Sequence, residues 1–264
     1  MLSCFAADHA LPSTDKDVIN TGKRTYHMLL LKYVPRPIRS YLLKFAGKLS
    51  IPGIKHTSEF YYWYTQLKRD GGTFRNEWYR GIMLNIANEK DQAFVEDKVI
   101  ADFGCGPRGS LCWADNAAQR IGIDVLIDKY RLLGIDSQNM KYVQSSETSI
   151  PLESDSVDIL ITLNALDHVD NYEAMCSELR RILKPGGLLL GSFNLDENAS
   201  VCEPQTLTEE KIKAGLLKDF EIISYRMAKH GPAGNNYKHF YDGSDPVTKG
   251  PRYLWLKAKK PESY

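Results

Sequence analysis

A glycine-rich loop follows a short apolar run in this sequence: Val99-Ile100-Ala101-Asp102-Phe103 leads into Gly104-Cys105-Gly106-Pro107-Arg108-Gly109. Gly104 and Gly106 permit a tight turn and let a ligand approach the backbone; Gly109 lets a following helix start close to a sheet. Two acids accompany the loop. Asp102 stands two residues before Gly104, and Asp124 ends a second apolar run twenty residues after it. A carboxylate at that second place can accept bonds from both hydroxyls of a ribose, or it is simply a solvated acid at a strand end. Asp102 either faces the ligand or braces the loop. Beside the pyrophosphate of a dinucleotide it would oppose like charge, whereas a cationic cofactor would be stabilised there.

These residues need a scaffold. Apolar runs at 99–103, 121–125, 140–143, 157–163, 188–193, 220–225 and 253–258 read as strands, with helical stretches between the first five. The clearest helix is 170–183, with Tyr172, Met175, Cys176, Leu179 and Ile182 at helical spacing, and Lys184-Pro185-Gly186-Gly187 reads as its end. Near-continuous apolar strands alternating with helices predict a parallel sheet covered on both faces. The last two strands lack a helix between them and read as an antiparallel edge hairpin. In such a sheet the loop after the first strand lies where ligands bind.

Upstream, residues 59–87 are rich in aromatics (Phe60 to Tyr64, Phe74, Trp78, Tyr79) and are divided by Gly71-Gly72. They predict two helices forming a cap, either closing over a substrate or only packing. Residues 21–50 carry seven basic side chains and no acidic one, interleaved with apolar residues. That segment either lies on an anionic membrane surface or a partner, or packs as short helices with its lysines outward. The expected organisation is an extension and helical cap over 1–95 and a ligand-binding domain over 96–264.

With a formal net charge of +1, the chain offers nucleic acid no bulk electrostatic attraction, and none is expected as a partner. The five cysteines form no C-x-x-C pair, so neither a zinc site nor a disulfide framework is expected. No apolar run approaches the ~18 residues of a membrane span. Met1 to Ala10 does not read as a secretory leader, and a cytoplasmic setting is the expectation.

Asp102-Phe103-Gly104-Cys105-Gly106-Pro107, Gly122-Ile123-Asp124, Ser149-Ile150-Pro151-Leu152, residues 158–169 and Leu183-Lys184-Pro185-Gly186-Gly187 occur in one order and spacing. That series resembles the class I S-adenosylmethionine-dependent methyltransferases, most closely the small-molecule type 11 group, firmly over residues 98–194. The resemblance implies an α/β, Rossmann-like fold: a seven-stranded, mostly parallel sheet with an antiparallel last strand. It implies S-adenosylmethionine as cofactor, with Asp102, Gly104, Cys105 and Gly106 around its methionine part and Asp124 on the ribose. Val125 or Leu126 would flank the adenine, Ser146 and Glu147 would lie at its edge, and Leu163 and Asn164 near the sulfonium. Arg108 would either reach the cofactor carboxylate or face water.

Methyl transfer is an in-line displacement with an activated leaving group, so positioning and desolvation supply much of the acceleration. A base is needed only if the acceptor must lose a proton early. His168, in Asn164-Ala165-Leu166-Asp167-His168-Val169, is the candidate base; capping the next helix or bonding to a neighbouring acid is the alternative. Glu203, His239 and Tyr241 are candidate acceptor contacts, each also readable as part of a polar loop. His, Asp and Glu do not recur at metal-ligand spacing, so no metal is expected. The expected function is methyl transfer to a small molecule, at an oxygen of a sugar-like or natural-product acceptor. A nicotinamide-dependent oxidoreductase and a non-catalytic module of the same fold, docked to a membrane or partner, are the rivals.

Overall fold

Seven strands form a single sheet in the order β3-β2-β1-β4-β5-β7-β6 in the computed structural model, which describes residues 53–229, 237, 240 and 251–262. The strands are β1 (Val99–Phe103), β2 (Gln119–Asp124), β3 (Lys141–Gln144), β4 (Val157–Leu163), β5 (Leu183–Leu195), β6 (Glu221–Lys229) and β7 (Arg252–Lys259). β1 pairs in parallel with β2 and with β4, β2 with β3, and β4 with β5. β7 inserts between β5 and β6 and runs antiparallel to both. The sheet is therefore the expected one, with the final strand alone reversed.

The apolar faces of these strands are covered on both sides. On one face Phe103, Ile123, Leu160, Leu189 and Leu256 pack with Tyr172, Met175 and Leu179 of helix α4 (Tyr172–Ile182). On the other, Ile100, Ile159, Leu190 and Trp255 pack with Met83 and Ile86 of helix α2 (Trp78–Ala87). Helix α1 (Ile54–Arg69) lays Phe60, Trp63 and Leu67 on a third cluster of Cys105, Leu126, Ile127 and Tyr130. Helices α1 and α2 fall in the same compact unit as the sheet.

Several expectations about connections are corrected. No helix follows the glycine loop: residues 104–118 form successive turns, with Cys112 N–H donating to Gly109 O at 3.1 Å and Ala114 N–H to Leu111 O at 3.1 Å. Gly109 adopts φ 73°, outside the helical region, which prevents a continuous helix there. The β2–β3 connection holds only helix α3 (Ile127–Tyr130) and two single 3₁₀ turns, and β3–β4 holds no helix. Lys184-Pro185-Gly186-Gly187, expected as the breaker after α4, lies inside β5. There Gly186 N–H donates to Lys260 O and Lys260 N–H to Gly187 O, so pairing with the chain after β7 overrides local turn propensity. Thr208 caps helix α5 (Glu209–Ala214), accepting from Lys211 N–H at 3.2 Å.

No helix among the described residues is long and apolar enough to cross a membrane. The basic segment 21–50 and the residues His230, His239 and Tyr241 lie outside the described residues.

Candidate active site

The C-terminal ends of β1, β2 and β4 converge on the glycine loop, and each contributes a side chain from the expected set. Asp102, on β1, is 2% exposed. Its Oδ2 accepts from Ser110 Oγ at 2.5 Å, while its Oδ1 is buried without a hydrogen-bond partner. Burial pushes its carboxyl up to about 7, the Ser110 bond opposing and Asp124 adding to the rise. A buried carboxylate oxygen with nothing bound to it favours a cationic neighbour.

The loop's glycines are fixed by close approach. A Cβ on Gly104 (φ 72°) would fall on the Ala165 Cβ beyond β4. A Cβ on Gly106 (φ 55°) would come within 3.0 Å of the Trp63 indole of α1. Cys105 between them is buried, and its thiol is pushed up well above the usual range by that burial. It acts as a small spacer: its sulfur and Tyr142 leave no room for a side chain at Gly122.

Asp124 closes the loop from β2. Its Oδ2 accepts from Gly106 N–H at 3.1 Å and its Oδ1 from Leu126 N–H at 2.9 Å. Burial raises its carboxyl, Glu59 of α1 raises it further, and the two backbone donors and His168 oppose. Glu59 reaches this corner because Tyr130 OH donates to its Oε1 at 3.1 Å. Each Asp124 oxygen keeps a lone pair, so hydroxyl donors can still bind there.

The rest of the expected set is spread around this corner. Val125 and Leu163 are half-buried. Asn164, at φ 51°, turns the chain sharply after β4; its Nδ2 donates to Tyr237 OH at 2.7 Å. Ser146 Oγ is tied into a local turn, accepting from Ser149 N–H at 2.9 Å. Glu147 faces His56 of α1, with 3.2 Å between Oε1 and Nε2. Arg108 does not face water. Its guanidinium pairs with Asp70 at 2.5 Å, donates to Arg75 O at 2.8 Å, and stands 5.1–5.5 Å from the rings of Trp63, Phe74 and Trp78. It fastens the glycine loop to the α1–α2 turn.

His168 and Glu203 meet across two loops. Gln205 N–H donates to Asp167 O at 3.1 Å and Gln205 Nε2 to Val169 O at 3.0 Å, drawing the loop after β5 against the loop after β4. This leaves His168 Nε2 3.9 Å from Glu203 Oε1. Asp167, His168 and Glu203 each offer a donor atom, and the three lie within 4.8 Å of one another, though 35 residues separate His168 from Glu203 in sequence. Sequence spacing does not reveal this grouping, nor the positions of Glu59 and Trp63 over the loop.

Residues 101–191 match the family model described as a methyltransferase domain. A malonyl-[acyl-carrier protein] O-methyltransferase of Enterobacter lignolyticus is 32% identical over 91 residues, 34% of this chain and 36% of that protein. An uncharacterized methyltransferase of Mycobacteroides abscessus is 24% identical over 120 residues, 43% of this chain and 46% of that protein. The chain thus spans less than half the length of these curated relatives. Among solved structures, the complex of the Haloferax volcanii Trm112 methyltransferase activator with a methyltransferase matches at TM-score 0.52 and 15% identity. That match covers 70% of this chain and 90% of the other. Residues 101–191 therefore match a methyltransferase domain, on a Rossmann-like sheet.

Proposed function

We propose that this chain transfers a methyl group from S-adenosylmethionine to a small molecule, at an oxygen of a sugar-like or natural-product acceptor. The observation that carries the reading is Asp102 Oδ1: a buried, unpartnered carboxylate oxygen beside two glycines that hold the backbone open. The residues fit the cofactor. Asp102, Gly104 and Gly106 would hold its methionine part, with Cys105 packed beneath. Asp124 would accept the ribose hydroxyls, Val125 would flank the adenine, and Ser146 and Glu147 would edge it. Leu163 and Asn164 would lie by the sulfur. When bound, the cofactor supplies a methyl group on a sulfonium leaving group.

The chain's own residues do the positioning. Trp63 and Glu59 of α1 form the wall facing Gly106 and Asp124 and exclude water from that corner. His168, in the loop that follows β4, takes the acceptor's proton. Glu203 stands beside it. Transfer of label from methyl-labelled S-adenosylmethionine to a panel of hydroxylated small molecules tests the reading. Labelled methyl ethers or esters are expected, and labelling confined to amines would refute oxygen as the receiving atom.

A further inference from the structure

We propose that Asp167, His168 and Glu203 form a binding site for one divalent transition-metal cation. The donor set comes first: one imidazole and two carboxylates, with a donor atom from each lying within 4.8 Å of the others. Bonds of about 2.0–2.2 Å to one ion place donors roughly 3 Å apart when adjacent and a little over 4 Å apart when opposite. The 3.9 Å between His168 Nε2 and Glu203 Oε1 falls in that interval. Neither of these two side chains is fully buried, so an ion can reach both from solvent.

An independent observation points to a ligand. Asp167 is 5% exposed, and its Oδ1 is buried without a hydrogen-bond partner. An ionised carboxyl is costly to bury unless it is paired or coordinates a metal. A cation among the three would pair with that buried oxygen. The mixed nitrogen and oxygen donors suit Mn²⁺ or Zn²⁺ better than Ca²⁺ or Mg²⁺, which take oxygen ligands. The cross-loop bonds of Gln205 hold the two ligand-bearing loops together before any ion arrives.

The ion's task rests on the methyl-transfer reading, although its binding does not. There it would bind and acidify an acceptor hydroxyl. His168 would then act as a ligand rather than as the proton acceptor of the metal-free site.

The test is a titration of the tag-free full chain with Mn²⁺, followed by loss of the free-ion electron paramagnetic resonance signal. Mn²⁺ is the probe because it binds thiols poorly, and Cys202 adjoins Glu203 in the chain. One saturable Mn²⁺ per chain is expected. His168→Ala and Glu203→Gln should each weaken binding at least tenfold, and Cys202→Ser should leave it unchanged. Absence of saturable binding, or equal binding by both ligand variants, would overturn the proposal. Calorimetry with S-adenosylhomocysteine on the same samples separates the two readings. Nucleoside binding without Mn²⁺ binding removes the cation site alone, and the reverse removes the methyl-transfer reading alone.

Discussion

Asp124 Oδ2 accepts the backbone N–H of Gly106 at 3.1 Å, so the acid at the end of β2 and the turn at the end of β1 form one unit. Removing the carboxylate therefore has two effects. It deletes the expected acceptor for the ribose hydroxyls, and it releases the loop that faces them. Asp124→Ala should weaken S-adenosylhomocysteine binding by about 1–3 kcal/mol, the scale of lost charged hydrogen bonds. Asp124→Asn, which keeps one acceptor oxygen, should lie between the two. Titration calorimetry measures both, and equal affinity in all three proteins would contradict the assignment.

The contact between Gly106 and Trp63 gives a prediction about coupling. Gly106→Ala forces a side chain into the left-handed region, at about 1–2 kcal/mol, and presses on the indole ring. In a Trp63→Ala background the steric part disappears. The double variant should therefore be more stable than the sum of the single effects predicts, since residues in contact do not act additively. Urea denaturation of the four proteins measures this; strict additivity would mean that the indole does not bear on the loop.

Asp102 gives a prediction in pH. With its carboxyl near 7 in the folded chain and in the ordinary carboxylate range when unfolded, the folded state holds an extra proton between roughly pH 4 and 7. Stability should then fall as pH rises through that window and level off above it. Asp102→Asn should flatten this part of the profile. Binding a ligand with an ammonium group should favour the ionised carboxylate and release protons near pH 7. Calorimetry of S-adenosylmethionine binding in buffers of different ionisation enthalpy reads that release, and proton uptake would contradict it.

Arg108 is held by Asp70, by Arg75 O and by three aromatic rings. Arg108→Ala leaves a partly buried Asp70 with the Arg75 N–H but no charged partner. A cost of about 2–4 kcal/mol is expected, below the upper end for buried pairs because Asp70 keeps some solvent contact. Arg108→Lys should recover only part of it, because an ammonium lacks the planar fork. Chemical denaturation checks both, and a loss under about 0.5 kcal/mol in Arg108→Ala would show that the cage is not structural.

The sheet was legible because buried parallel strands leave continuous apolar runs, as at Val157–Leu163, and because Asp102 and Asp124 mark strand ends. That Asp102, Asp124 and the glycine loop meet at one corner was legible for the same reason: they sit at fixed offsets from those ends. What was not legible depends on tertiary contact. Arg108 reads as a ligand-loop arginine until Asp70 and Trp78 come beside it from another part of the chain. The expected helix after Gly109 failed because that glycine adopts a left-handed conformation, which residue type permits but does not announce. Lys184-Pro185-Gly186-Gly187 looked like a terminator because its pairing partners lie more than seventy residues away. The meeting of His168 with Glu203 likewise depends on Gln205 bridging two loops, and no local spacing encodes it.

The central claim is that the corner between Asp102, Gly106 and Asp124 receives a cationic adenosyl ligand. Titration calorimetry of the full chain with S-adenosylmethionine, set beside NADH, tests it most directly. The account predicts one S-adenosylmethionine per chain, sharply weakened in Asp124→Ala, and no measurable heat from NADH. Saturable NADH binding with no response to S-adenosylmethionine would contradict it.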